Sequence, residues 1–217
     1  GMLPLLVKRG FAGPIFATDA TRDVAERMLR DAAKIEEQDA AWRARHKVGA
    51  PDEREPLYTQ DDVAPTIARF QPVPYARDDD QWVEMLDGLS IKLFDAGHIL
   101  GSAVSVLNVE AGGRSQRVGY TGDLGVANVP LLRDPEVPTE EVTTLLCEST
   151  YGSRRHKPVD ESYQRMAIAI KKVIARKGKI IIPAFSLGRT QLIVYVLHKL
   201  TDSGRIPRLP DLCRFAS

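Results

Sequence analysis

Asp95-Ala96-Gly97-His98-Ile99-Leu100-Gly101-Ser102 follows directly on the alternating run Leu89-Ser90-Ile91-Lys92-Leu93-Phe94. The alternation predicts a strand. The glycines on either side of His98 predict a tight turn at its end that exposes backbone and aims the imidazole outward. Tyr120-Thr121-Gly122-Asp123-Leu124-Gly125 repeats the arrangement with a carboxylate, and Leu145-Leu146-Cys147-Glu148-Ser149-Thr150-Tyr151-Gly152 again ends an apolar run on an acid. His98, Asp123 and Glu148 are separated by 25 and 25 residues, so successive strands of one sheet would bring them to a common edge. A neutral imidazole and a carboxylate are the ligands of hydrolytic zinc or manganese sites, where they hold a borderline-hard cation and let it acidify a bound water. A lone histidine reads equally well as a hydrogen-bonded core residue; the Asp123 motif beside it favours the ligand reading.

Between the first two motifs, residues 103–109 and 116–120 flank Gly112-Gly113, a two-residue hairpin signal, so this part reads as a meander that delivers Asp123. Upstream, residues 2–7 are a short apolar run, and Gly10-Phe11-Ala12-Gly13-Pro14 turns into a strand at 15–18. Thr18 or Asp19 caps a helix with Val24, Met28, Ala32 and Ile35 on its buried face. Residues 40–56 are polar and charged, an exposed helix end followed by a loop, with Trp42 and His46 at the surface and no ligand-spaced neighbour for His46. Thr59 opens a short helix that tolerates Pro65 only in its first turn, and Pro72 and Pro74 punctuate a strand-like 73–75. Arg77-Asp78-Asp79-Asp80 lacks the glycine and distal glutamate of a calcium loop and reads as a solvated turn.

Downstream, Asp160 caps a helix that carries Tyr163, Ala167, Ile170 and Ile174 on one face and closes at Gly178. Residues 179–184, Lys-Ile-Ile-Ile-Pro-Ala, read as a buried parallel strand; residues 186–188 then open a helix containing Leu192, Val196 and Leu200. Such a strand, turn and helix start presents free backbone amides to an anion. His198 on that helix reads as structural or exposed.

At 217 residues, 43% apolar and 27% charged, the chain holds one large domain or a domain and a half. A formal net charge of +1 gives no global basic signature, so a nucleic-acid contact must come from a local patch. Ser153-Arg154-Arg155-His156-Lys157-Pro158 is such a patch, suited to hold phosphates by charge-assisted hydrogen bonds; the alternative is a solvated loop. Cys147, in a strand expected to be buried, and Cys213, in the tail, suggest reduced thiols and not a disulfide framework. No signal peptide or membrane span is visible, so a cytoplasmic chain without a membrane partner is expected.

The three motifs resemble those of the metallo-β-lactamase-fold nucleases of the β-CASP group, which include the cleavage-and-polyadenylation endonuclease and ribonuclease J. The Gly-His-x-x-Gly-Ser setting of that family's third metal motif is matched at His98, and the Thr-Gly-Asp of its fourth at Asp123. The acidic residue of Glu-Ser-x-Tyr-Gly that opens the β-CASP region is matched at Glu148. The resemblance covers residues 3–210. It implies metal-dependent hydrolysis of RNA phosphodiesters with two zinc ions, His98 and Asp123 as metal ligands, Asp123 bridging the pair, and Asp123 and Glu148 as catalytic residues. It also implies that Pro183-Ala184-Phe185-Ser186-Leu187-Gly188-Arg189-Thr190-Gln191 lies beside the cleft, which makes Ser186 and Arg189, with Arg154, Arg155 and His156, the substrate-side candidates.

The same resemblance implies what is missing. The family's His-x-His-x-Asp-His motif normally precedes a segment like Leu3-Pro4-Leu5-Leu6-Val7, and the four histidines here, at 46, 98, 156 and 198, include no pair with that spacing. The expected architecture is therefore α/β, a partial αββα metallo-β-lactamase domain over residues 1–150 without its N-terminal strands and first metal motif, joined to the start of a β-CASP domain over 151–210. Residues 211–217 read as an out-of-frame tail. The codons GAT CTA TGT CGA TTC GCC encode Asp-Leu-Cys-Arg-Phe-Ala, and the same string one base later encodes Ile-Tyr-Val-Asp-Ser, the strand with which related proteins continue. A two-ligand remnant seldom holds a catalytic metal, so the chain by itself is expected to be inactive. Two other readings stand beside the nuclease. A thioester or lactam hydrolase on the same fold fits His98 and Asp123 but leaves the Glu148 and Pro183 segments unexplained. A non-catalytic fragment would associate with a partner chain, or as a homodimer, through an exposed sheet edge.

Overall fold

A meander built on the alternating residues 83–120 carries the candidate site. The computed structural model describes residues 1–77, 82–154, 158–184 and 187–208. In it the elements run α1 (Leu3–Lys8), β1 (Ile15–Ala17), α2 (Asp19–His46), α3 (Val63–Ile67), β2 (Phe70–Pro72), β3 (Val83–Leu86), β4 (Leu89–Asp95), β5 (Ala103–Ala111), β6 (Arg114–Tyr120), β7 (Thr144–Leu146), α4 (Val159–Ala175) and α5 (Arg189–Asp202). The main sheet has the order β3-β4-β5-β6-β7, antiparallel except for the parallel pair β6 and β7. β5 opposes both β4 and β6, so β4, β6 and β7 point the same way and end, at Asp95, Tyr120 and Leu146, on one edge. The β5–β6 hairpin closes at Gly112 and Gly113, with φ of 59° and 72°, the left-handed pair that a two-residue turn of matching twist requires.

Alternation sends Ile91 and Leu93 to one face of the sheet, where they pack with Val73 and with Phe16, Tyr75 and Leu107, and Phe94, Val104 and Val106 to the other, with Trp82, Leu124 and Val142. β1 and β2 form a separate parallel pair in the register Ile15↔Phe70. Leu29, Ala33, Tyr58, Val63, Ile67 and Phe70 make a further core cluster, flanked by Leu3 and Leu5.

The structure bears out some of these expectations and corrects others. The apolar start forms α1, with Pro4 in the first turn, where its missing N–H costs nothing. α2 begins at the predicted cap, Thr18, whose hydroxyl accepts from the Thr21 amide, but its buried residues are Leu29, Ala33 and Ala40; Met28 and Ile35 are exposed. Trp42 and His46 are exposed, their rings stacked at 4.4 Å. Cys147 is exposed, because β7 is an edge strand whose three residues are all exposed. Residues 179–184 form no strand, and Ile181 is 91% exposed: the apolar run is present, but no strand among the described residues pairs with it. The aspartates 78–80 lie outside the described residues.

The chain divides into two compact units, Gly1–Val126 with Asp134–Glu148, and Ala127–Arg133 with Ser149–Ser217. In the second, α4 and α5 pack through Ala167, Ile170, Val196 and Leu200, flanked by Tyr163, Ile174 and Leu192, the faces their periodicity predicts. Asp160 is not the cap of α4. Pro158, with extended ψ, occupies that position, and Asp160 and Glu161 sit in the first turn, where their charge opposes the helix dipole. The tail 211–217, with Cys213, lies outside the described residues.

Candidate functional site

The first two motif turns are fixed by side chains that accept hydrogen bonds from backbone amides nearby. Asp95, buried at the end of β4, accepts the Gly97 amide at 2.8 Å, and the Ser102 hydroxyl accepts the His98 and Ile99 amides at 3.1 and 3.2 Å. The turn passes through Gly97 and Gly101, with φ of 63° and 88°. The Asp123 turn docks on it: the Gly125 amide donates to the Ala96 carbonyl at 2.8 Å. A Cβ on Gly125 would meet the Gly97 carbonyl oxygen head on, so glycine is required there by space. Glu148 braces the second turn. Its amide donates to the Thr121 hydroxyl at 3.1 Å, and its carboxylate accepts the Leu124 amide at 3.0 Å. His98 Nε2 and Asp123 Oδ2 then stand 3.9 Å apart, their side chains 44% and 76% exposed.

Supports reach this edge from elsewhere in the same unit, and sequence reasoning missed them. The hydroxyls of Thr18 and Thr21, at the start of α2, both donate to the Gly101 carbonyl, at 3.0 and 2.8 Å, and the Tyr75 hydroxyl donates to the Ser102 carbonyl at 3.0 Å. A strap over residues 134–143 is tied to β4 at two points. Glu136 accepts the Asp95 amide at 3.0 Å and returns its own amide to the Asp95 carbonyl at 2.8 Å; Glu140 meets the Lys92 ammonium at 2.6 Å. Burial raises the Glu140 pKa, but the Lys92 and Thr139 hydrogen bonds and the Lys92 charge outweigh it and hold the carboxyl below its ordinary range. The only sequence signal for the strap was its pair of prolines, Pro135 and Pro138, which mark a loop without saying where it docks.

Two ligands bonded to one tetrahedral zinc at about 2.0–2.2 Å stand roughly 3.3–3.6 Å apart, so the His98–Asp123 pair suits one ion in chemistry and, at 3.9 Å, needs to close by a few tenths of an ångström to hold it. No group of three or more His, Cys, Asp or Glu among the described residues could hold a metal ion. The described residues thus fit one side of a metal site and do not fit a complete one. Of the substrate-side candidates, Arg154 is exposed after the turn that begins at Tyr151, with its amide on the Tyr151 carbonyl at 3.0 Å, and Arg189 is exposed as the first residue of α5. Both belong to the second unit. Arg155, His156 and Ser186 lie outside the described residues. No described helix is long and apolar enough to cross a membrane.

No family model matches the chain. Among individual proteins it is 33% identical over 210 residues to the ribonuclease TTHA0252 of Thermus thermophilus, a match that covers 97% of this chain and 42% of that one. It is 29% identical over 213 residues to the transcription termination factor FttA of Methanosarcina mazei, covering 97% of this chain and 30% of that one. It is 30% identical over 200 residues to the endoribonuclease YSH1 of Eremothecium gossypii, covering 91% and 24%. The chain therefore spans less than half the length of the curated relatives it matches. Matches of this extent agree with the motif resemblance, and the chain belongs to the β-CASP metallo-β-lactamase family.

Proposed function

We propose that this chain supplies one side of a metal-dependent centre that hydrolyses RNA phosphodiesters. His98 and Asp123 are two ligands of a zinc ion whose remaining ligands come from outside the described residues; Glu148 acts through the Asp123 turn; Arg154, Arg155, His156, Ser186 and Arg189 meet substrate phosphates. The observation that carries this reading is the 3.9 Å approach of His98 Nε2 and Asp123 Oδ2 at the common edge of β4, β6 and β7. The ion would supply charge stabilisation and an acidified water. The chain's own residues hold the two ligand turns in register and leave both side chains open to a substrate. With only this pair, the chain alone should bind zinc weakly and leave RNA intact.

Two measurements test the proposal. In calorimetric titration of metal-free chain with zinc, His98→Ala and Asp123→Ala should each weaken binding by at least about tenfold; binding that neither change affects argues against a shared ion. Grafted in place of the matching segment of the Thermus ribonuclease, the chain should support metal-dependent cleavage of single-stranded RNA that either substitution abolishes. A graft that folds and binds metal but leaves RNA intact would sink the reading.

The edge position of β7, with Leu145 and Leu146 55% and 52% exposed, supports a second reading in which two chains pair along that strand. Sedimentation equilibrium would then give a dimer that Leu146→Lys breaks, whereas a monomer at all concentrations excludes it.

A further inference from the structure

The two halves of the chain carry opposite charge. Residues 1–148 hold 16 Lys and Arg against 25 Asp and Glu, a net of −9, while residues 149–217 hold 14 against 4, a net of +10. The division coincides with the point at which the second structural unit takes up the chain, at Ser149. The formal charge of +1 is thus a cancellation of two strong charges.

Part of the positive excess is organised by a helix. On α4, Arg165, Lys172 and Arg176, the last its C-cap, lie at spacings of seven and four, and at 3.6 residues per turn they share the side opposite the buried Ala167 and Ile170. Along the axis they are about 10 Å and about 6 Å apart. All three are exposed, and Lys171 and Lys177 flank them, also exposed. None of the five forms an ion pair among the described residues. Glu161, in the first turn, is the acid nearest this ridge in sequence.

We propose that the Arg165–Lys172–Arg176 ridge of α4 binds the sugar-phosphate backbone of single-stranded RNA. The proposal rests on the reading of the protein as an RNA nuclease and adds a holding surface outside the candidate centre. Phosphates recur every ~3.4 Å or more along a strand, so cations about 6 and 10 Å apart on a stiff helix meet every second or third one. Contact releases condensed counterions, which makes the binding salt-dependent. The ridge offers no aromatic platform or amide to read bases, so it holds RNA without regard to sequence. A lipid surface fits less well, because the apolar face of α4 is already packed on α5 and cannot enter a bilayer.

The test is fluorescence anisotropy of an end-labelled single-stranded RNA with the metal-free chain in chelator, from 50 to 200 mM salt, so that the outcome is independent of the metal centre. The variant Arg165→Gln/Lys172→Gln/Arg176→Gln keeps helix propensity and alters only exposed side chains. It should bind at least about tenfold more weakly at the lowest salt, with the slope of log K against log salt smaller by about 2, or 0.7 per lost phosphate contact. Arg22→Gln/Arg27→Gln/Arg30→Gln, an equal charge change on α2 in the acidic half, should bind as the parent does. Lys172→Gln alone should lose about a third of the slope change. The proposal is overturned if the α4 variant binds like the parent or if the α2 variant weakens binding equally. It is also overturned if phosphatidylserine vesicles outcompete RNA, or if low-salt sedimentation shows a dimer that the α4 variant dissolves, because the ridge would then serve the acidic half of a second copy.

Discussion

At the scale of single residues, the candidate centre depends on atoms that are absent. Gly125 has no Cβ, and the Gly97 carbonyl occupies the space one would need; Gly101 combines a φ of 88° with the start of α2 packed against its α-carbon. These two contacts, and not the side chains of His98 and Asp123, set the 3.9 Å separation of the ligand pair. Gly125→Ala must push the two turns apart. Overpacking of this kind costs about 2–3 kcal/mol, which for a chain of this size lowers Tm by about 5–10 °C. Thermal unfolding followed by circular dichroism, with zinc titration of the same variant, checks both consequences: a lower Tm and weaker zinc binding. A variant that melts within a degree of the parent would show that the turns are not interlocked. The sequence marked both glycines as turn residues. Which of them is required by space became visible only once the Asp123 turn was docked on the His98 turn, a contact between residues 28 apart in Gly97 and Gly125.

At the scale of elements, the strap 134–143 shows how a segment without periodicity holds a periodic one. Its Lys92–Glu140 pair is 15% and 11% exposed, between a surface pair worth under ~1 kcal/mol and a fully buried pair whose breakage costs about 3–5 kcal/mol. Glu140→Gln should therefore cost about 2 kcal/mol at pH 7. The folded-state pKa of Glu140 lies below that of the unfolded chain, near 4.5, so the folded state binds fewer protons. The contribution is complete above that value and is lost as pH falls through the folded one. Urea unfolding of the parent and of Glu140→Gln should differ at pH 7 and converge toward pH 3; a constant difference across that range would mean that the carboxylate charge is not what holds the strap. β4, β5, β6 and the faces of α4 and α5 were legible because each repeats a simple period against one core. The register of α2 was not, because two apolar rows compete on it, and the one that joins the core is that of Leu29, Ala33 and Ala40, not that of Met28 and Ile35. Residues 179–184 misled for the opposite reason: Ile180, Ile181 and Ile182 have strand composition, but a strand also needs a neighbour to pair with. The supports from Thr18, Thr21 and Glu136 were illegible because each is a hydrogen bond to a backbone atom distant in sequence, and neither composition nor spacing records it.

At the scale of the whole molecule, net charge is the quantity most easily read from a sequence, and here it conceals the arrangement beneath it. A chain of net +1 with evenly mixed charge would pass an ion exchanger of either sign near its isoelectric point of about 8.0. Halves of −9 and +10 behave otherwise. A resin probes charge within about a Debye length, ~10 Å at 0.1 M salt and ~30 Å at 0.01 M, so each half can engage a resin of opposite sign. At pH 8 and low ionic strength the chain should be retained on both a cation and an anion exchanger, and should leave both as salt approaches roughly 0.1–0.2 M and screening closes in. The α4 variant lacking three cations should elute earlier from the cation exchanger alone, and the α2 variant, which makes the acidic half more negative, should be held longer by the anion exchanger alone. Flow-through on the cation exchanger at pH 8 would mean that the basic half is neutralised within the folded chain or by a second copy, and the α4 ridge would then have no free charge to offer a phosphate. Retention on both resins, with the variants separating as described, would make charge segregation a property of the folded molecule, and would account for an RNA-binding surface in a protein whose overall composition gives no sign of one.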